Sequence, residues 1–152
     1  MLRKLKQFIV FPAADRRLLL QIAAVVPLVE FGLKAFGFNR IFNLINRWTT
    51  RPPQAEVNRE EVNKYARLMF LSYRNSPLEG KCLARSLVLW GLLRRNGIET
   101  DLRFGMKKKD GKLLAHAWVE YLGERLEQTG EHNQNYVPFV EPILPKTMRQ
   151  LN

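Results

Sequence analysis

Cys82-Leu83-Ala84-Arg85-Ser86-Leu87-Val88-Leu89-Trp90-Gly91-Leu92-Leu93-Arg94-Arg95-Asn96-Gly97 is the stretch from which the rest of the chain is read. Leu83, Leu87, Trp90 and the Leu92-Leu93 pair recur at helical spacing and form one apolar face. Arg94 and Arg95 favour the negative end of the helix dipole, and Asn96-Gly97 supplies a left-handed cap. Upstream, residues 75–81 hold a proline and a glycine, which predicts a loop delivering the chain into this helix near Cys82. Downstream the pattern changes period. Residues 100–106 read as a strand, Lys107-Lys108-Lys109-Asp110-Gly111 as a basic turn, and 114–121 as a second strand. Leu122-Gly123 then closes toward a third strand over 124–129. A helix that feeds an antiparallel sheet makes the fold class α+β.

Working outward toward the N-terminus, Pro12-Ala13-Ala14-Asp15 turns into a helix over residues 15–36, expected to bend at Pro27 and to end at Gly37. Ile41, Phe42, Leu44, Ile45 and Trp48 give residues 38–48 an apolar face. Residues 49–54, with Pro52-Pro53, break the chain. Val62, Tyr65, Leu68, Met69 and Ser72 then make a third helix over 58–73, with Glu60 and Glu61 at its favourable dipole end. This organisation separates an N-terminal helical part, residues 1–57, from a core over residues 58–152, the two forming one compact unit. No internal repeat or low-complexity tract is present.

The 152 residues suit a single domain, and 46% hydrophobic with 11% aromatic residues suffices for a packed core. Disordered and collagen-like classes are excluded. Twenty-five Lys+Arg against 14 Asp+Glu leave a net charge of +11, which points toward anionic partners without choosing among them. One cysteine rules out an internal disulfide and CxxC metal sites, and two histidines argue against a histidine-rich metal centre. The single thiol fits a reducing, cytoplasmic compartment. Gln21, Pro27, Glu30 and Lys34 interrupt the apolar run 18–36, so it reads as a buried or interfacial helix rather than a span. Asp15-Arg16-Arg17 intervenes where a signal peptide would have its apolar region.

Cys82 and His116 are the residue types suited to nucleophilic catalysis. At a helix start, free N–H groups and the dipole favour a thiolate and can hold an oxyanion. A nearby imidazole would pair with the thiolate and later protonate a leaving amine. The competing reading makes Cys82 a small core residue opening an apolar helix and His116 a structural neighbour of Trp118. The third member depends on the hairpin. A two-residue turn at Leu122-Gly123 sets His116 opposite Thr129 with Glu127 a diagonal neighbour on the same face, whereas a three-residue loop selects Gln128. Either could orient the imidazole; Glu127 would also stabilise its cation. A solvated edge carboxylate is the alternative for Glu127. His132 lies in a polar stretch without an evident partner, and the lysine run reads as a solvated hairpin tip. No nucleic-acid signature, GxxxxGK[ST] or GxGxxG pattern occurs, so neither nucleic acid nor a nucleotide cofactor is expected.

The run 82–98 followed by Ala115-His116-Ala117-Trp118-Val119-Glu120-Tyr121-Leu122-Gly123 resembles the transglutaminase-like leader peptidases of lasso-peptide biosynthesis. Pro12-Ala13-Ala14-Asp15-Arg16-Arg17-Leu18-Leu19-Leu20 and the apolar helices after it are similar to that family's stand-alone form, so the resemblance spans roughly residues 10–145. It implies a papain/transglutaminase-like core, in which a Cys-bearing helix packs on a short antiparallel sheet, and a Cys-His-Asp triad carried here by Cys82 and His116. Where the family tends to place its aspartate this chain has Glu127-Gln128. It implies no cofactor and no metal. The implied partners are the leader of a precursor peptide, a separate leader-recognition protein and an asparagine-synthetase-like cyclase. Peripheral membrane contact through the N-terminal helices is a further expectation. The alternative is a weakly active or inactive transglutaminase-like module that binds a peptide or a membrane surface.

Overall fold

The computed structural model describes residues 12–54, 57–73, 82–126 and 136–139. Four helices precede a sheet: α1 Ala13–Phe36, α2 Phe38–Thr49, α3 Arg59–Tyr73 and α4 Cys82–Arg95. The strands are β1 Asp101–Lys109, β2 Lys112–Tyr121, β3 Glu124–Arg125 and β4 Val137–Pro138, arranged in the order β3-β2-β1-β4 with every neighbour antiparallel. The architecture is α+β, as the pattern of helical and strand periods predicts.

Local chemistry explains the boundaries. α1 runs through Pro27 as one helix. Asn58 opens α3, its side-chain oxygen accepting the Glu60 N–H at 2.8 Å while its carbonyl accepts from Glu61 and Val62. α4 ends where the Asn96-Gly97 signal places the end. Gly97 has φ 69°. Ile98 N–H reaches back to the Leu93 carbonyl and Gly97 N–H to that of Arg94, so two carbonyls left over at the helix end are satisfied.

The sheet departs from expectation at the lysine run. Lys107, Lys108 and Lys109 belong to β1 and pair with Leu114, Leu113 and Lys112. The turn is only Asp110-Gly111, both with positive φ (51° and 76°). A two-residue turn of this hand matches the strand twist, and Asp-Gly adopts it with little strain, so pairing extends to its edge. Leu122 and Gly123 (φ 51° and 78°) form the second such turn, with Glu120 opposite Arg125 and Tyr121 opposite Glu124. This is the two-residue geometry. β4, which the sequence reading did not include, adds Pro138 against Gly105 and Val137 against Met106.

One apolar cluster joins the helices to one face of the sheet. It runs from Leu19, Ile22 and Val26 of α1 through Phe42 of α2 and Val62 and Leu68 of α3. From there it passes to Leu87, Trp90 and Leu93 of α4 and on to Leu102 and Val119. Trp90 lies at its centre, stacked on Phe42 at 4.9 Å between ring centroids, with Arg94 over its ring. Gly91 lets α2 approach: a Cβ there would lie 2.8 Å from Ile45 Cγ2. Buried Asp15 is neutralised across the α1–α3 contact by Lys64 at 2.6 Å. The helices thus clamp α4 from one side and leave its first turn against β2.

Candidate active site

Strand alternation sorts β2 into two faces. Val119 belongs to the core cluster, whereas His116, Trp118 and Glu120 share the opposite face. α4 meets this strand at Ala117. The Ser86 hydroxyl donates to the Ala117 carbonyl at 2.8 Å. One turn earlier, the Cys82 sulfur is hydrogen-bonded to the His116 side chain and to the Ala117 backbone. The two residues singled out in the sequence, 34 positions apart, are therefore brought into contact by docking a helix end on a strand edge.

Burial of Cys82 opposes its ionisation, and this is the largest single influence on the thiol. It is outweighed by the His116 side-chain hydrogen bond, the Ala117 backbone hydrogen bond, and the positive charges of His116 and Arg85. The thiol is therefore held below its ordinary value. A thiolate beside an imidazolium, with a backbone N–H directed at it, is the electrostatic arrangement that activates a cysteine nucleophile.

His116 sits among rings. Trp118 stacks beside it at 6.0 Å between centroids and Tyr136 lies at 4.9 Å, tilted by 32°. Trp118 is itself fixed: its indole N–H donates to Glu120 Oε1 at 2.7 Å, and Glu120 Oε2 accepts from Arg103 Nε at 3.1 Å. The Arg125 guanidinium covers the Trp118 ring at 3.8 Å. Gly105 makes room beneath, because a Cβ there would come within 2.7 Å of Trp118 Cη2 and 2.5 Å of the Val137 carbonyl oxygen. Lys107 lies 4.3 Å from the centroid of the Tyr136 ring. The imidazole is held by packed aromatic surface, which limits its rotation.

Glu127, Gln128 and His132 lie outside the described residues, as does the loop expected over 75–81. Among the described residues no group of three or more His, Cys, Asp or Glu side chains is placed to hold a metal ion. Sequence reasoning missed Ser86, although its spacing of four from Cys82 puts both on one helix face. It also missed Tyr136, for which no local pattern existed.

An apolar groove lies elsewhere, between α1, α2 and α4. It has a volume of about 410 Å³ and is lined by Val25, Val29, Leu44, Trp48 and Leu92 among others.

Searches of curated proteins and of solved structures found no match to this chain. The profile of the Transglutaminase-like superfamily matches residues 25–141, a span that includes α4, the sheet and both Cys82 and His116. Since that match covers well over half of the sequence, the chain belongs to the transglutaminase-like superfamily.

Proposed function

We propose that this chain is a cysteine peptidase that removes the leader from a ribosomally made precursor in lasso-peptide maturation. The contact of Cys82 with His116 carries the peptidase part of this reading, and the superfamily typically includes cysteine proteases. The likeness of residues 82–98 and 115–123 to the lasso leader peptidases supports the substrate.

Cys82 thiolate attacks the carbonyl at the leader–core junction, with backbone N–H groups near the nucleophile stabilising the oxyanion. His116 protonates the departing amine and the core leaves, with the leader held as a thioester on Cys82. Water, deprotonated by His116, attacks the thioester carbonyl, and the leader departs as a carboxylic acid with the thiol restored. We assign the third role to Glu127. It stands with Gln128 where the resembled family tends to place its aspartate, and of the two only Glu127 would stabilise the imidazolium by charge. A separate leader-recognition protein presents the precursor, and an asparagine-synthetase-like cyclase takes the freed core.

Incubating the chain with a precursor and its recognition protein, followed by mass spectrometry, tests this. The expected products are a leader with a free carboxylate and a core with a free amine. An intact precursor in the presence of the recognition protein would overturn the assignment.

A second reading is a peptide- or membrane-binding module with little activity. The observation favouring it is the outward side of α1, where Leu20, Leu28, Phe31 and Phe36 are exposed, with Leu44 and Trp48 of α2 nearby along the groove. By length and composition α1 is also sufficient to cross a membrane. Both readings place the protein in the cytoplasm, with peripheral membrane contact through these helices.

A further inference from the structure

Among the described residues the buried polar side chains are Asp15, Ser86 and His116. Asp15 is neutralised by Lys64 in the helical layer. The other two meet at the nucleophile. Ser86 is only 4% exposed, and its neighbours on the buried side of α4 are apolar: Ala84, Leu87, Val88, Leu89 and Trp90. A hydroxyl among them has to be satisfied, since a buried polar group left without a partner forfeits its bond to water and gains none in return. Its partner is the carbonyl of Ala117, the residue next to His116.

The edge geometry shows what this bond does. Residues two apart on a strand direct their backbone groups to the same side. The Val119 carbonyl points to the β3 edge of β2 and accepts the Leu126 N–H at 3.0 Å. Ala117 therefore points its own N–H and carbonyl to that edge, and α4 takes both, Ser86 at the carbonyl and Cys82 at the backbone hydrogen bond one turn earlier. The helix end stands beside β2 where a paired strand would otherwise run.

We propose that Ser86 is a positioning residue for the nucleophile: its hydroxyl locks α4 to the Ala117 carbonyl and so keeps Cys82 Sγ at the Ala117 backbone and the His116 imidazole. The proposal rests on Cys82 and His116 acting as the reacting pair, and it is independent of the precursor. Cys82 and Ser86 sit at i and i+4, so one bond fixes both the rotation and the axial position of the face that carries the thiol. A displacement of about 1 Å at a reacting atom is enough to cost about two orders of magnitude in rate.

The test uses the fact that Cys82 is the sole cysteine. The rate of its alkylation by iodoacetamide in the folded chain, followed against pH, reports the thiolate without any substrate. The wild type is expected to reach half its maximal rate below the pH of an ordinary thiol. Ser86→Ala is expected to move that midpoint upward by about one unit, roughly a tenfold loss of rate on the acid side. Ser86→Thr, which keeps the donor, should restore it, and Val88→Ala, which disturbs the same helix away from Ala117, should leave it in place. A folded Ser86→Ala chain with the wild-type profile overturns the proposal. Should Ser86→Ala fail to fold, Ser86→Thr and Ser86→Val decide, because they differ only by a hydroxyl and a methyl: identical profiles overturn it and separated profiles support it. An ordinary thiol profile in the wild type would instead remove the nucleophile reading itself.

Discussion

At Cys82 the balance of forces has a consequence for stability as well as reactivity. The folded chain holds the thiol below its ordinary value despite burial, whereas the unfolded chain does not. A depressed folded value adds stability that is fully present above the unfolded thiol's pKa and is lost as pH falls through the folded one. Urea titrations of wild type and Cys82→Ser at several pH values should therefore show the largest advantage of the wild type in alkali and a shrinking one toward neutral and acid. A pH-independent difference would mean that the sulfur gains nothing from its neighbours. Glu127 sets the second expectation. If it orients and charges His116, Glu127→Gln should lower the cleavage rate by orders of magnitude, while Gln128→Ala changes it little. The reverse ranking would show that a neutral amide holds the imidazole. No effect of either, with cleavage still lost in Cys82→Ala, would leave a Cys-His dyad.

At the level of elements, the sheet is pinned by close approaches that glycine permits. Gly105→Ala would push a Cβ into the Val137 carbonyl and the Trp118 ring. A cost of about 1–3 kcal/mol in chemical denaturation is expected, with cleavage reduced because Trp118 packs beside His116. Wild-type stability in Gly105→Ala would contradict the packing described. The same elements show what a sequence reader can and cannot see. The end of α4 was legible because Asn96-Gly97 writes a left-handed cap in two residues, and the turn at Leu122-Gly123 because a glycine closes a run rich in apolar and aromatic residues. The run of lysines misled: three like charges suggest a solvated turn, yet in β1 they sit near the end of a long hairpin where Asp110-Gly111 alone makes the reversal. β4 has two residues, Val137 and Pro138, that pair with Met106 and Gly105 from more than thirty positions away, too short for any period to show. The Ser86 bond ends on a backbone carbonyl, so its acceptor has no side-chain signature at all.

For the whole molecule, the unresolved tension is between a single shared core and the apolar surface left outside it. Leu19, Ile22 and Val26 of α1 are buried against the other helices, while Leu28 and Phe31 on its far side are 68% and 69% exposed and Trp48 is 80% exposed. With a net charge of +11, that surface suits anionic lipid or a partner protein at the membrane face. Alkaline carbonate or high salt should release membrane-bound chain, since α1 already gives one face to the core; resistance to both would show that it spans. Leu28→Gln with Phe31→Ser should change folding stability by less than about 0.5 kcal/mol per site while weakening that attachment. The central claim, however, is that Cys82 is the nucleophile, and the most direct measurement is precursor cleavage by Cys82→Ala beside wild type, with circular dichroism confirming that both are folded. The account predicts no leader released by the variant and full release by the wild type; a folded Cys82→Ala chain that still cleaves the precursor would contradict it.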